Sequence, residues 1–223
     1  MASLSVAATS GESTADLLCA CVADQGTATH PYILGDALVA GPEAPRNLAD
    51  MIHLLCALHG RHPGVVDHAA GRSTDPVARR WLIEAAEAMA TERTYLVRLA
   101  VAAGPVPGTP GAAGNEAMLI AQRSALSVLA QSDRQGCALG AALAFALDWA
   151  AVRDRLDDAA RRLGVPTPPF ALGGEGDVRL VVDSAGGDPA TARALLFGAR
   201  QLALQQRSLW DLLEARAEAR AAL

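Results

Sequence analysis

Four of the five histidines crowd into one short stretch, as His53, His59, His62 and His68, and Asp67 stands among them. Neutral imidazole is the commonest transition-metal ligand, protonated imidazole attracts anions, and a carboxylate often completes a metal shell. His59, His62, Asp67 and His68 are therefore the candidate ligand-binding residues, and His62 and His68 the pair to which a metal would bind. His59 and His62 are three apart, but Gly60 and Pro63 interrupt any helix they would share, so helical i,i+3 geometry is not expected. The stretch has neither His-Glu-x-x-His nor any other dedicated zinc spacing. A transition metal is the one cofactor suggested, and no other cofactor motif is present. The competing assignment is structural: His59 as a hydrogen-bonded core residue, His62 as a cap on the turn before Pro63, and His53 in solvent.

The fifth histidine enters through a short echo. His30-Pro31-x-Ile33-Leu34-x-x-Ala37 repeats the pattern of His62-Pro63-x-Val65-Val66-x-x-Ala69. Two such turns at related places in a fold would bring His30 toward the other candidates.

Other chemistries fare worse. Asp50, His53 and Cys56 lie at helical spacing, which would suit a nucleophile with its base, but a ridge of one helix supplies no oxyanion hole. A surface Asp–His pair beside a partly buried thiol is the expectation. Glu84 and Glu87 are three apart, yet no Glu-x-x-His follows, so the ligand set of a di-iron carboxylate bundle is absent. All nineteen basic residues are arginine, which removes Schiff-base and P-loop lysines together. A net charge of −5 argues against nucleic acid as a partner. Cys19, Cys21, Cys56 and Cys137 show no zinc or redox spacing and are expected to be buried thiols in a cytoplasmic protein. Glu12 and Asp16 interrupt what would be the apolar core of a leader, and no apolar run is long enough to span a membrane.

The elements that must position these residues read as helices. The chain of 223 residues is 51% hydrophobic and only 4% aromatic, dominated by alanine, leucine and valine, which favours closely packed helices in one domain. Residues 115–164 form the organising segment. Leu139, Ala142, Ala146, Trp149, Val152, Leu156, Ala160 and Leu163 recur at intervals of three and four, and Gly164 with Pro166 stops the run. Residues 131–136 are polar and predict a kink or a break, with Ser132 or Asp133 capping a second helix. Gly136 and Gly140 would let another helix approach closely. Asp157 with Arg161, and Asp158 with Arg162, are expected as outward acid–base pairs.

Before this segment, residues 1–45 read as short helices and loops, the first opened by Ser13 and Asp16. A helix from Arg46 to Gly60 places Leu48, Ile52, Leu55 and His59 on one stripe, and Arg46, Asp50 and His53 on a wetter one. Asp75-Pro76 opens a long helix with Ala78, Leu82, Ala85, Met89, Leu96, Leu99 and Ala103 inward, and Glu84, Glu87, Glu92, Arg93 and Arg98 mostly outward. Residues 165–187 read as an irregular linker, with 178–182 extended. Asp188-Pro189 opens a last helix whose face of Leu195, Ala199, Leu202, Leu209 and Leu213 is interrupted by Gln206.

The outcome is an all-α, single-domain helical bundle: main helices over 46–164, a linker, and a C-terminal helix over 188–223. The absence of a catalytic signature points first to a non-enzymatic interaction or regulatory protein, a homodimer or the partner of another protein. The alternative is a metal- or small-ligand-binding bundle, an enzyme if its ligand is a substrate. That alternative requires a pocket where the 62–63 turn meets the bundle.

Overall fold

A computed structural model describes residues 12–110 and 112–222, and those residues form helices with no strand. In order these are α1 (Thr14–Gln25), α2 (Pro31–Leu34), α3 (Ala44–His59), α4 (Val65–Arg72), α5 (Pro76–Ala103), α6 (Ala112–Ala130), α7 (Cys137–Leu163), α8 (Glu175–Ala185) and α9 (Pro189–Ala221), with a 3₁₀ turn at Thr27–Thr29. The residues ahead of Glu12, which bear on the leader question, lie outside the described ones. No helix among the described residues is long and apolar enough to cross a membrane.

The starts of the helices follow from local chemistry. Ser13 and Asp16 exchange hydrogen bonds in a capping box. Asp75 accepts from the Ala78 amide, and Asp188 from those of Ala190 and Thr191, each ahead of a proline in the first turn. The break at 131–136 is real and separates α6 from α7. Neither Ser132 nor Asp133 caps α7, however. Its N-cap is Gly136 at φ 90°, a backbone conformation that disfavours a side chain, and Asp133 instead pairs with Arg72.

Helices α7 and α9 cross at the centre with their backbones almost touching. A β-carbon on Gly140 would lie 2.6 Å from the Leu195 carbonyl carbon, and one on Gly198 would lie 2.9 Å from that of Cys137. The two glycines face each other's backbones, and this close packing is what the Gly136/Gly140 spacing predicts. One apolar cluster takes buried residues from all nine helices, with Trp149 and Trp210 its largest fully enclosed members.

Several polar residues correct the sequence reading. Residues 178–182 are helical, because Gly174 and Asp177 start α8 and Val178, Val181 and Val182 then share one buried face. Glu92 and Arg93 are buried, not outward: Glu92 bonds Trp149 and Arg153, and Arg93 bonds Asp67. Asp50 is fully enclosed, held by Arg216 and Arg220 from α9. Asp157 pairs back to Arg153 and Arg161 to Asp158, while Arg162 donates to the carbonyls of Leu38 and Val39.

Candidate functional site

The last turn of α3, the loop 60–64, the first turn of α4 and the facing sides of α5, α6 and α7 enclose a cavity of about 220 Å³. His59 sits at the end of α3, where Gly60 closes the helix. His62 and Gly64 belong to the loop, and His68 follows one turn into α4. Helices α5 and α6 contribute Arg93 and Arg123, and α7 contributes Phe145.

Positive charge dominates the lining. Arg61, Arg93 and Arg123 all line the cavity, and no carboxylate does. The adjacent Asp67 is already committed: it accepts from the Gly64 amide at 2.7 Å, pairs with Arg93 and lies 3.7 Å from His62 Nε2. As the third residue of α4 its carboxylate answers the amide of the N-cap Gly64, the acid half of a capping box, which explains its position. The first-turn amides of Val65 and Val66 have no acceptor inside their helix and add partial positive charge at the wall. Arg123 Nη2 donates to the Ala57 carbonyl at 2.8 Å. The Nε atoms of both Arg93 and Arg123 are buried and donate to nothing among the described residues.

Behind His59 runs a buried chain of hydrogen bonds. His59 Nε2 meets Gln206 Oε1 at 3.0 Å, and Gln206 Nε2 donates to Asp148 Oδ2 at 3.2 Å. Asp148 also accepts from the Thr27 amide (2.6 Å) and hydroxyl (2.7 Å), and Thr27 Oγ1 accepts from Trp210 Nε1 at 2.8 Å. The direction of each bond follows from the last. The Trp210 N–H can only donate, so the Thr27 hydroxyl proton points to Asp148, whose carboxylate accepts the Gln206 amide protons. With Asp148 ionised, Gln206 turns its carbonyl to His59, and His59 Nε2 carries the proton. Burial holds the His59 imidazole well below its ordinary value, to about 4; the bond to Gln206 opposes this and the charge of Arg93 adds to it. The ring is neutral, packed against Phe145 and edge-on to Trp149. Burial raises the Asp148 carboxyl against the bonds from Thr27 and Gln206.

The remaining candidates separate. His59, His62 and His68 line one cavity and Asp67 adjoins it, whereas His30 lies elsewhere, 3.0 Å from Asp211. The echoed turns also differ: His30 is itself the N-cap of α2, accepting from the Tyr32 amide, while Gly64 caps α4. Among the described residues, His30, Asp211 and Glu214 form the one group of three ligand atoms within 4.8 Å of one another. His30 Nδ1 accepts the Tyr32 amide proton, so Nε2 carries its own proton to Asp211 and offers a metal no lone pair. The Asp50–His53–Cys56 arrangement is dissolved, since Asp50 belongs to Arg216 and Arg220, and His53 Nε2 bonds the Gly104 carbonyl at 2.8 Å. Burial raises the Cys56 thiol, the opposite of activation.

Residues 22–221 match the family of unknown function DUF6975. The chain belongs to that family. No curated protein and no solved structure matches it. The matched span includes every cavity residue and the whole chain from His59 to Trp210.

Sequence reasoning missed Arg93, Arg123 and Asp148. A signal was present for two of them. Arg93 lies between Met89 and Leu96 on the inward stripe of α5, and Arg123 lies four residues after Leu119 and three before Leu126. A charge on a core stripe marks a buried partner or a ligand.

Proposed function

We propose that the cavity binds a small ligand bearing an oxyanion, a carboxylate or phosphate, on a short apolar body. The observation that carries this reading is the cavity wall itself, which brings Arg61, Arg93 and Arg123 together and includes no carboxylate. Hydrogen bonds from a guanidinium to an oxyanion are charge-assisted and roughly twice as strong as neutral ones, so an oxyanion beside these arginines is the ligand group the wall favours. The rest of the wall, Leu58, Val66, Met89, Leu126 and Phe145, is apolar and suits a short hydrocarbon chain. A volume of about 220 Å³ lies below that of drug-sized sites and sets the scale of the ligand. Asp67 is occupied by Arg93 and the Gly64 amide, which favours an anion over a metal at His62 and His68.

Titration with inorganic phosphate and with butyrate, at constant ionic strength made up with chloride, tests the reading. Saturable stabilisation of about 2.7 kcal/mol is expected near one hundred times Kd. Arg123→Met is expected to weaken the effective anion about tenfold. Equal response to chloride, or an Arg123→Met variant indistinguishable from wild type, would overturn it.

A second reading, contact with a second copy of the chain, is supported by the outer surface of α5 and α8. Val77 and Leu180 are 47% and 65% exposed and flank a groove floored by Trp81 and Val181. Two-fold pairing is the commonest way such a face is covered. Four unpaired cysteines fit a cytoplasmic location.

A further inference from the structure

The proton pattern behind His59 determines what that residue offers a ligand. Nε2–H is spent on Gln206, and among the described residues no group bonds Nδ1. Nor is Nδ1 one of the fully enclosed unpartnered atoms, so it keeps access to open space, and His59 lines the cavity. With Asp148 ionised, the other tautomer is blocked by the chain itself. A bare Nε2 would face the Gln206 carbonyl, and turning the Gln206 amide around would set its carbonyl against the Asp148 carboxylate. The Thr27 amide and hydroxyl fix that carboxylate in turn. Protonating both nitrogens would put a cation in the core beside Arg93, which burial and charge oppose together. At its inner end the cavity therefore presents a lone pair and no proton, while the arginines supply only donors.

We propose that the ligand carries a hydroxyl beside its oxyanion and that His59 Nδ1 accepts the hydroxyl proton, making the site specific for a small hydroxy acid or hydroxyalkyl phosphate. This rests on the oxyanion reading of the same cavity. An oxyanion alone satisfies Arg93 and Arg123 but is repelled by the His59 lone pair. A donor on the same molecule satisfies all three. Gln206 and Asp148 act as positioning residues, since they set which nitrogen bears the proton without touching the ligand.

Calorimetric titration of the wild-type protein with butyrate, 2-hydroxybutyrate, 3-hydroxybutyrate, propyl phosphate and 3-hydroxypropyl phosphate separates the possibilities. One hydroxylated probe is expected to bind about five- to tenfold more tightly than its deoxy counterpart, the range of a single net hydrogen bond. The series in which this occurs distinguishes carboxylate from phosphate. His59→Phe is expected to erase the preference, so that hydroxylated and deoxy probes bind that variant equally. Nitrogen-15 NMR of labelled histidine provides a readout that needs no variant. His59 is expected to show a protonated Nε2 and a bare Nδ1 whose signal moves with the hydroxylated probe alone. Equal affinities for hydroxylated and deoxy probes, or a protonated Nδ1 in the free protein, would overturn the hydroxyl inference and leave the oxyanion reading intact. No binding of any probe would remove both.

Discussion

Replacing Gly140 with alanine probes the crossing on which the core is built. The added β-carbon would stand 2.6 Å from the Leu195 carbonyl carbon and 2.7 Å from its Cα, where ordinary contact begins at 3.4 Å. The obstacle is helix backbone, with the Leu195 carbonyl oxygen nearest of all, so α9 must retreat by more than about 1 Å. That movement loosens Leu195, Ala199 and Leu202, all fully enclosed. Alanine's better helix propensity returns about 1 kcal/mol, against roughly 1–3 kcal/mol or more for overpacking and lost contact. A net loss of about 2 kcal/mol is expected, read as a lower urea midpoint by circular dichroism. Gly176→Ala in α8 serves as the control: nothing lies within 4 Å of its β-carbon, and a gain of up to about 1 kcal/mol is expected. Gly198→Ala meets the backbone of Cys137 and Ala141 from the other side, so one retreat relieves both clashes and the double variant costs less than the sum. A Gly140→Ala midpoint at or above wild type, with Gly176→Ala behaving as expected, would refute the close crossing.

Two further predictions concern buried charge. Asp50→Asn removes the carboxylate that accepts from Arg216 at 2.6 and 2.8 Å and from Arg220 at 2.7 Å, leaving two guanidinium groups enclosed without it. A loss of about 3–5 kcal/mol in urea unfolding is expected, and a loss below about 1 kcal/mol would show that the pairing is not needed. For His59, a folded-state value near 4 against 6.5 in the unfolded chain means that the unfolded state takes up the proton first. Stability therefore falls as pH drops from about 6.5 to 4, by about 3 kcal/mol from this residue. Asp148 works in the opposite sense, since burial raises its carboxyl and its contribution is lost as pH rises through the folded value. His59→Gln removes only the first effect, so the variant should lose less stability than wild type between pH 7 and pH 4.5; parallel losses would contradict the assignment.

The helices were legible because their stripes are long and regular. The inward faces of α5, α7 and α9 follow from spacings of three and four, and the caps at Asp75 and Asp188 from a local acid and proline. Helix α8 was not, because eleven residues between glycines with three valines suit an extended segment as well as a short helix; the capping bond from Asp177 and the contact face on α5 decide. The polar core was hidden for another reason. Gln206 read only as an interruption, yet it joins His59, 147 positions away, to Asp148, 58 positions away. Asp50 looked wet on the helical wheel because its partners lie 166 and 170 positions along the chain. Periodicity reports which face turns inward, not which charges meet there. Three members of the histidine cluster, His59, His62 and His68, line one cavity where the 62–63 turn meets the bundle. Its arginines come from α5 and α6, which no short motif connects.

Selenate, a tetrahedral oxyanion with a strong anomalous signal, tests the central claim most directly. In crystals grown or soaked with selenate and measured at the selenium edge, a peak is expected inside the cavity, within hydrogen-bonding distance of both Arg93 and Arg123. Selenate bound only at exposed arginines, with the cavity empty of it, would contradict the account.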